Sequence, residues 1–244
     1  PFLYKAKKSG ELQRLETLFA FTGIEYSFFT GKEPEENKIW LEFSKAKDSI
    51  FRNLLLKFFS FSKKLRSYFG IFLQLLNNRT YLCSLHNIPS DKLKFFDSSV
   101  KYGLWKLPFF QEKNFAFYKW PFFITQKNGE EKRKIIIKYE NDRERLKRLV
   151  KEKDKDIYYT QLVGLDKIIH KYGKKSREVS NYLKKTDKLL EQISTRFEKF
   201  VIWSDHGFAD IKNYINIEKI LPKCEDYFYF IAGTTISFWF KNQK

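Results

Sequence analysis

Methionine is absent from the sequence, and cysteine occurs only at Cys83 and Cys224. Two cysteines are too few for a disulfide framework, which excludes a small disulfide-stapled domain and favours a reduced cytosol over an oxidising compartment. Because no initiator methionine is present, we expect a fragment of a longer protein that has lost both ends. A targeting signal on the lost N-terminal part would fit this sequence, so the localisation stays open beyond a preference for the cytoplasm.

Long uncharged apolar runs are also missing. Residues 54–76 are long enough to span a bilayer but carry Lys63, Lys64 and Arg66, and each central charge costs about 2.5 to 3.5 kcal/mol on insertion scales. The apolar residues 227–240 are too few to span. The sequence therefore predicts no transmembrane segment in this chain.

Histidine is scarce, and two of the three histidines follow apolar runs. The residues are His86, His170 and His206. Residues 200–203 have the length and composition of a buried strand and lead into Asp205 and His206. Because open α/β sheets bind ligands beyond the carboxyl ends of their strands, this pair is expected at the rim of a site. His86 has no partner motif beside it and is interpreted as structural.

His170 repeats the pattern after a second predicted strand at residues 157–163. If a helix begins near Asp166, the spacing of four residues places Asp166 and His170 on one face, with Cβ atoms about 5 to 6 Å apart. A carboxylate with an imidazole suits zinc and related divalent metals better than calcium or magnesium. Two alternatives stay open: a surface ion pair for Asp166 and His170, and a helix N-cap for Asp205.

These residues carry a resemblance to a known family. Asp166 to Gly173 reads Asp-x-x-x-His-x-x-Gly, and Ser204 to Gly207 reads Ser-Asp-His-Gly. Both motifs, in this order, resemble the metal-binding core of the alkaline phosphatase superfamily, in particular its type I phosphodiesterase and nucleotide pyrophosphatase branch. The Cys-x-Pro-x-Arg or Ser-x-Pro-x-Arg motif of sulfatases is absent.

The early part of the chain resembles the nucleophile region of the same family. The segment Thr30-Gly31-Lys32-Glu33-Pro34-Glu35 is similar to the Thr-Gly-x-x-Pro-Glu segment that closes the nucleophile helix. The family places its Thr or Ser nucleophile some eight or nine residues earlier, and Thr22 is the nearest hydroxyl. The Pro-Asn that commonly surrounds this nucleophile is missing, and Asn37-Lys38 replaces the usual His-Gly.

The resemblance implies a mechanism with two divalent ions, zinc or alternatively manganese. Asp166 and His170 would hold one ion, and Asp205 and His206 the other. Thr22 would attack phosphorus to give a phospho-enzyme that water then hydrolyses. The implied substrate is a phosphorylated small molecule or a nucleotide, with phosphodiester or pyrophosphate bonds preferred. The family also uses an upstream Asp and a downstream His that have no counterpart here, so an inactive fragment is one expectation.

The expected fold is a three-layer α/β/α sandwich with a mostly parallel sheet, because strands and helices alternate along the second half. An inserted aromatic-rich cap is implied by the resemblance to the family, whose members carry such an insertion. Residues 1–47 would form the first part of the core, 48–126 the cap, and 127–244 the part with the metal ligands. Predicted helices occupy residues 1–10, 141–153 (exposed) and 176–197, the last with an inner stripe. Its members are Val179, Tyr182, Leu183, Leu189, Leu190 and Ile193. Residues 127–133 are interpreted as a polar turn, and further strands are predicted at 134–139, 227–231 and 236–240.

Two other functions remain open. A net charge of +18 and an aromatic content of 19% are compatible with binding nucleic acid through phosphates and stacked bases. The charge is mostly lysine spread along the chain, whereas base recognition favours arginine, so this function is not favoured. The other alternative is a catalytically degenerate superfamily member that binds a metal or a partner without turnover.

Overall fold

Strands Phe115–Lys119 and Phe122–Lys127 lie at the centre of the molecule's main sheet. The computed structural model describes residues 1–14, 24–37, 44–45, 62, 64–65, 68, 80–81, 93–97, 99–100, 104–119, 122–136, 138–222, 226–232 and 235–240. The chain divides into two units, Pro1–Asp205 and His206–Lys244. The predicted nucleophile Thr22 lies outside the described residues.

The helices and strands of the described residues are numbered in chain order. The α-helices are α1 (Phe2–Lys8), α2 (Ile24–Thr30), α3 (Pro34–Asn37), α4 (Pro108–Gln111), α5 (Asp142–Leu149), α6 (Gly164–Tyr172), α7 (Arg177–Ser194) and α8 (Ile217–Ile220). The strands are β1 (Ser44–Lys45), β2 (Thr80–Tyr81), β3 (Phe96–Asp97), β4 (Ser99–Val100), β5 (Phe115–Lys119), β6 (Phe122–Lys127), β7 (Glu130–Ile135), β8 (Ile157–Thr160), β9 (Tyr227–Ala232) and β10 (Thr235–Phe240). Short 3₁₀ turns occupy Leu93–Phe95 and Leu104–Lys106.

The main sheet has the strand order β7-β6-β5-β8. Strand β6 pairs antiparallel with both β5 and β7, and β8 pairs parallel with β5. The turn between β6 and β7 is Asn128-Gly129, with φ of +51° and +82°. Positive φ at both positions is the requirement of a type I′ hairpin, which Asn-Gly meets at little cost. In this sheet β5 and β6 begin before residue 127, the expected start of the last domain, and β7 and β8 follow it. The expected domain boundaries themselves stay a prediction.

Both faces of β5 are buried. Phe115 and Phe117 on one face join a cluster with Trp105 of the second 3₁₀ turn and Phe110 of α4. Ala116 and Tyr118 on the other face pack with a cluster that includes Leu149 of α5. Alternating side chains thus bury apolar surface on either side, at roughly 1.5 to 3 kcal/mol for each large side chain.

Helices α1, α5 and α7 share another apolar cluster in the first unit. Leu146, Leu190 and Ile193 are its buried members, and Phe2 and Phe200 pack against it. Helix α7 begins after its N-cap Ser176, whose side chain accepts a hydrogen bond from Val179. The predicted helices at 1–10 and 176–197 are therefore confirmed, although Leu183 of the expected inner stripe is 40% exposed.

The expectation of a mostly parallel sheet is wrong for the described sheet, and the three-layer sandwich is not confirmed. Only two residues separate β5 from β6 and two separate β6 from β7, whereas a parallel pair needs a crossover of about a dozen residues or more. The fold is mixed α/β. The predicted strand at 157–163 is observed as the shorter β8.

The predicted strand at residues 200–203 is also wrong, because these residues form no strand. Their apolar side chains are used differently. The Phe200 ring stacks on Phe197 and the Trp203 ring stacks on Phe28, while Val201 and Ile202 are exposed. Apolar composition here reflects ring packing on helices rather than burial within a sheet.

The second unit contains α8 and the antiparallel pair β9 and β10, as predicted for residues 227–231 and 236–240. Phe228 stacks on Trp239 on one face of the hairpin, and Tyr227 packs against Phe238 and Phe240 on the other. Such cross-strand aromatic pairs stabilise a hairpin by roughly 0.2 to 1 kcal/mol each. No helix among the described residues is long and apolar enough to cross a membrane.

Candidate metal centre

Helix α6 carries Asp166 in its first turn and His170 in its last. The His170 Nε2 and Asp166 Oδ1 atoms are 3.4 Å apart, and the two side chains are 70% and 42% exposed. The helix on which the expectation was conditional is present, and both residues lie on one face of it as expected. Both donors are open to solvent and therefore accessible to an ion.

The donor separation fits a shared metal ion. Zinc bonds to nitrogen and oxygen of about 2.0 to 2.2 Å at a tetrahedral angle place two donor atoms about 3.4 Å apart. The measured 3.4 Å agrees with this value. A solvent-exposed ion pair would show a similar distance, so the geometry is compatible with the metal and does not require it.

Asp205 follows a segment that is held on helix α2. The rings of Trp203 and Phe28 are stacked, with centroids 4.5 Å apart and planes inclined by 13°. Phe28 lies in α2, the helix that begins two residues after Thr22. The segment before Asp205 therefore packs on the helix that follows the predicted nucleophile.

A polar network joins the start of α2 to the sheet. The Tyr159 hydroxyl of β8 donates a 2.6 Å hydrogen bond to the Glu25 carboxylate, and Lys119 at the end of β5 forms an ion pair with the same group. Burial, the charge of Glu25 and its hydrogen bond, and the charge of Asp205 together raise the pKa of Tyr159 well above its usual value. The charge of Asp205 therefore acts on Tyr159, the penultimate residue of β8.

His206 belongs to the second unit. Its Nδ1 atom is 3.0 Å from the carbonyl oxygen of Gly207. The imidazole ring also makes an edge-to-face contact with Phe208 at a centroid distance of 5.6 Å.

A model of the type I phosphodiesterase / nucleotide pyrophosphatase family matches residues 80–244. This chain belongs to that family. The match covers Asp166, His170, Asp205 and His206, and the resemblance of the two motifs to the family is confirmed. No curated protein and no solved structure matches the chain.

The four predicted ligands do not form one group in the described part of the chain. There, no group of three or more His, Cys, Asp or Glu side chains is placed to hold a metal ion. Asp166 and His170 are the predicted ligands that the structure brings into direct contact. The assignment of Asp166, His170, Asp205 and His206 as metal ligands stays a prediction, as does Thr22.

Sequence reasoning missed the buried charges next to α6. Helix α5 was expected to be exposed, but its Asp142 and Arg145 are only 7% and 1% exposed. An available signal was the Asn-x-x-Glu pattern at Asn141 and Glu144. These residues form a capping box that marks the start of α5 and so places Asp142 in its first turn.

Proposed function

We propose that this chain is a metal-dependent hydrolase of phosphoric esters that acts on phosphodiester or nucleotide pyrophosphate bonds. The observation that carries the proposal is the family match over residues 80–244, a range that includes both motifs proposed to bind metal. The contact of Asp166 with His170 on α6, at a separation that suits shared coordination, supports it.

The proposed roles follow the two motifs. Asp166 and His170 hold one divalent ion, and Asp205 with His206 holds the other, with zinc as the expected metal and manganese as the alternative. When bound, such ions neutralise charge on the phosphoryl oxygens and activate the attacking and leaving oxygens. Aspartate binds a metal as the carboxylate and histidine as the neutral imidazole, so metal binding depends on pH.

Thr22 is proposed as the nucleophile. Its hydroxyl oxygen forms a bond to phosphorus as the bond to the leaving oxygen breaks, and water then hydrolyses the threonine phosphate. Support comes from the next helix in the chain. Helix α2 is held by the stack of Phe28 on Trp203 and by the hydrogen bond between Glu25 and Tyr159. The helix that follows Thr22 therefore packs against the segment that precedes Asp205.

Hydrolysis of an aryl phosphodiester with added zinc or manganese tests the proposal. We expect turnover by the wild-type protein, its loss on chelation, and its loss in Asp205→Ala and His206→Ala. His86→Ala is the matched control because His86 lies in neither motif, and it should keep its activity. Full activity in both Asp205→Ala and His206→Ala would refute the assignment of these residues as metal ligands.

Thr22→Ala tests the nucleophile separately. If Thr22 attacks phosphorus, this variant should lose turnover while it binds zinc as tightly as the wild type. Thr30→Ala is a useful comparison because the Thr30 hydroxyl is already bonded to the Tyr26 carbonyl in α2. Undiminished turnover by Thr22→Ala would assign the nucleophile to another residue.

A catalytically degenerate protein is the second candidate. It is favoured by the fact that no three-residue ligand group is assembled among the described residues, since a catalytic zinc site normally has three protein ligands. Zinc binding without hydrolysis of any phosphodiester or pyrophosphate would support this candidate over the enzyme.

A further inference from the structure

The connection between β8 and α6 is held by two buried, oppositely charged side chains of helix α5. Arg145 donates from Nη1 to the carbonyl oxygen of Gln161 at 3.1 Å, at the exit of the strand. Asp142 accepts from the backbone N–H groups of Val163 and Gly164 at 3.2 and 2.8 Å, at the start of the helix. Both ends of the connection are therefore fixed by the first turn of α5.

Asp142 performs the capping role that the sequence of α6 cannot supply. The N-cap position of α6 is Val163, whose side chain makes no capping hydrogen bond. The first N–H groups of a helix need acceptors, which Ser, Thr, Asp or Asn at the N-cap usually provides. Here a carboxylate from another helix provides them, and its negative charge also suits the positive end of the α6 dipole.

Asp142 is also held by Tyr182 and lies close to the backbone of Gly164. The Tyr182 hydroxyl of α7 donates a hydrogen bond to the Oδ2 atom of Asp142. A Cβ atom added to Gly164 would lie 2.6 Å from Asp142 Oδ2 and 2.7 Å from the Tyr182 hydroxyl. Glycine at position 164 is thus required for the backbone to approach the carboxylate.

We propose that Asp142 is a positioning residue for the Asp166–His170 pair. It fixes the N-terminus of α6, and Asp166 lies in the first turn of that helix. The proposal rests on the proposed function, because the pair matters only if it holds an ion. Partners that orient metal ligands typically change metal affinity or activity by 10-fold to 100-fold when they are replaced.

The test compares Asp142→Asn with the matched control Asp187→Asn. Asp187 also caps a helix from outside it, accepting from Phe2 and Leu3 of α1 at 2.7 and 2.8 Å, but it makes none of the bonds to α6. Amide hydrogen exchange should accelerate about fivefold in α6 of Asp142→Asn. Val163 and Gly164 donate to different carboxylate oxygens, and an asparagine has an NH2 group, which cannot accept, in place of one of them. About fivefold is the equivalent of the roughly 1 kcal/mol that one hydrogen bond contributes. Asp187→Asn should leave α6 exchange unchanged.

Zinc affinity measured by calorimetry on the same proteins gives the second readout. We expect about tenfold weaker binding in Asp142→Asn, turnover lost at limiting zinc but recovered at saturating zinc, and no change in Asp187→Asn. Tyr182→Phe, which removes one donor to Asp142, should accelerate α6 exchange and weaken zinc binding by smaller amounts. If Asp142→Asn does not fold, Tyr182→Phe serves as the test of the proposal.

Unchanged α6 exchange or unchanged zinc affinity in a folded variant would overturn the proposal. Absence of hydrolysis by the wild type removes the proposed function alone, since exchange and zinc binding still decide the positioning role. A wild-type chain that binds neither zinc nor manganese overturns both.

Discussion

The stack of Trp203 on Phe28 should be measurable as a coupling free energy. It joins the segment before Asp205 to helix α2, and aromatic pairs of this kind contribute about 0.5 to 1.5 kcal/mol beyond the area they bury. A double-mutant cycle with Phe28→Ala and Trp203→Ala should return a coupling of that size. Phe28 also contacts Phe29, at 5.2 Å between ring centroids. This contact is lost both in Phe28→Ala and in the double variant, so it does not contribute to the coupling free energy.

Urea unfolding followed by circular dichroism is the suitable assay, because replacing Trp203 changes the fluorescence signal. Val201→Ala is the control from the same segment, since Val201 is 72% exposed, and its combination with Phe28→Ala should be additive. Sites that do not touch usually add within about 0.3 to 0.5 kcal/mol. A Phe28–Trp203 coupling below about 0.3 kcal/mol would refute the docking of this segment on α2.

Three further predictions concern the fold and its charges. Phe110→Ala should lower the free energy of unfolding by about 3 to 5 kcal/mol in urea titrations, because Phe110 is fully buried. Phe109→Ala should cost clearly less, because the neighbouring Phe109 is half-exposed. The hydrogen bond from Arg148 lowers the pKa of Glu140. The stability that this interaction contributes is therefore present above the pKa of an unfolded glutamate, about 4.3, and is lost as the pH falls below that value. The difference in the free energy of unfolding between the wild type and Glu140→Gln should shrink over the same pH range. The pKa of Tyr159 is raised, so the protein should lose stability as the pH rises above about 10, the pKa of an unfolded tyrosine. Tyr159→Phe, which has no hydroxyl to ionise, should lose less stability over the same pH range.

Periodicity and spacing predicted the helices well, because their evidence is local. Asp166 and His170 were expected on one face on the condition that a helix begins near Asp166, and α6 meets that condition. Ser176 followed by apolar residues at helical spacing indicated α7, in which Val179 and Leu190 are buried. Leu183 was placed on the inner face by the same spacing, yet it is exposed, since tertiary packing decides how wide the buried stripe is.

The sheet was predicted less well. Residues 127–133 were interpreted as a polar turn, whereas β7 begins at Glu130 and pairs with β6 around Asn128-Gly129. The charged, largely exposed residues of β7 hide the strand from any apolar pattern, and the Asn-Gly pair was the usable signal. The apolar run at 200–203 misled in the opposite way, because Trp203 buries its ring on Phe28 without entering a sheet.

The candidate site was predicted from motifs, and its surroundings were not. The two motifs identified the family, which the match over residues 80–244 confirms. The support for α6 comes instead from Asp142 and Arg145, which lie more than fifteen residues earlier in the chain. Their burial depends on tertiary contacts with Gln161 and Tyr182, and no local pattern specifies such contacts.

Anomalous diffraction at the zinc edge, from crystals of the full chain grown with zinc, tests the central claim most directly. The account predicts two anomalous peaks, one within bonding distance of Asp166 and His170 and one within bonding distance of Asp205 and His206, at about 2.0 to 2.2 Å. The first peak should vanish in crystals of His170→Ala and persist in those of His86→Ala. Zinc bound only to other residues would contradict the claim. So would the absence of any zinc peak in crystals grown at a zinc concentration that saturates the protein in solution.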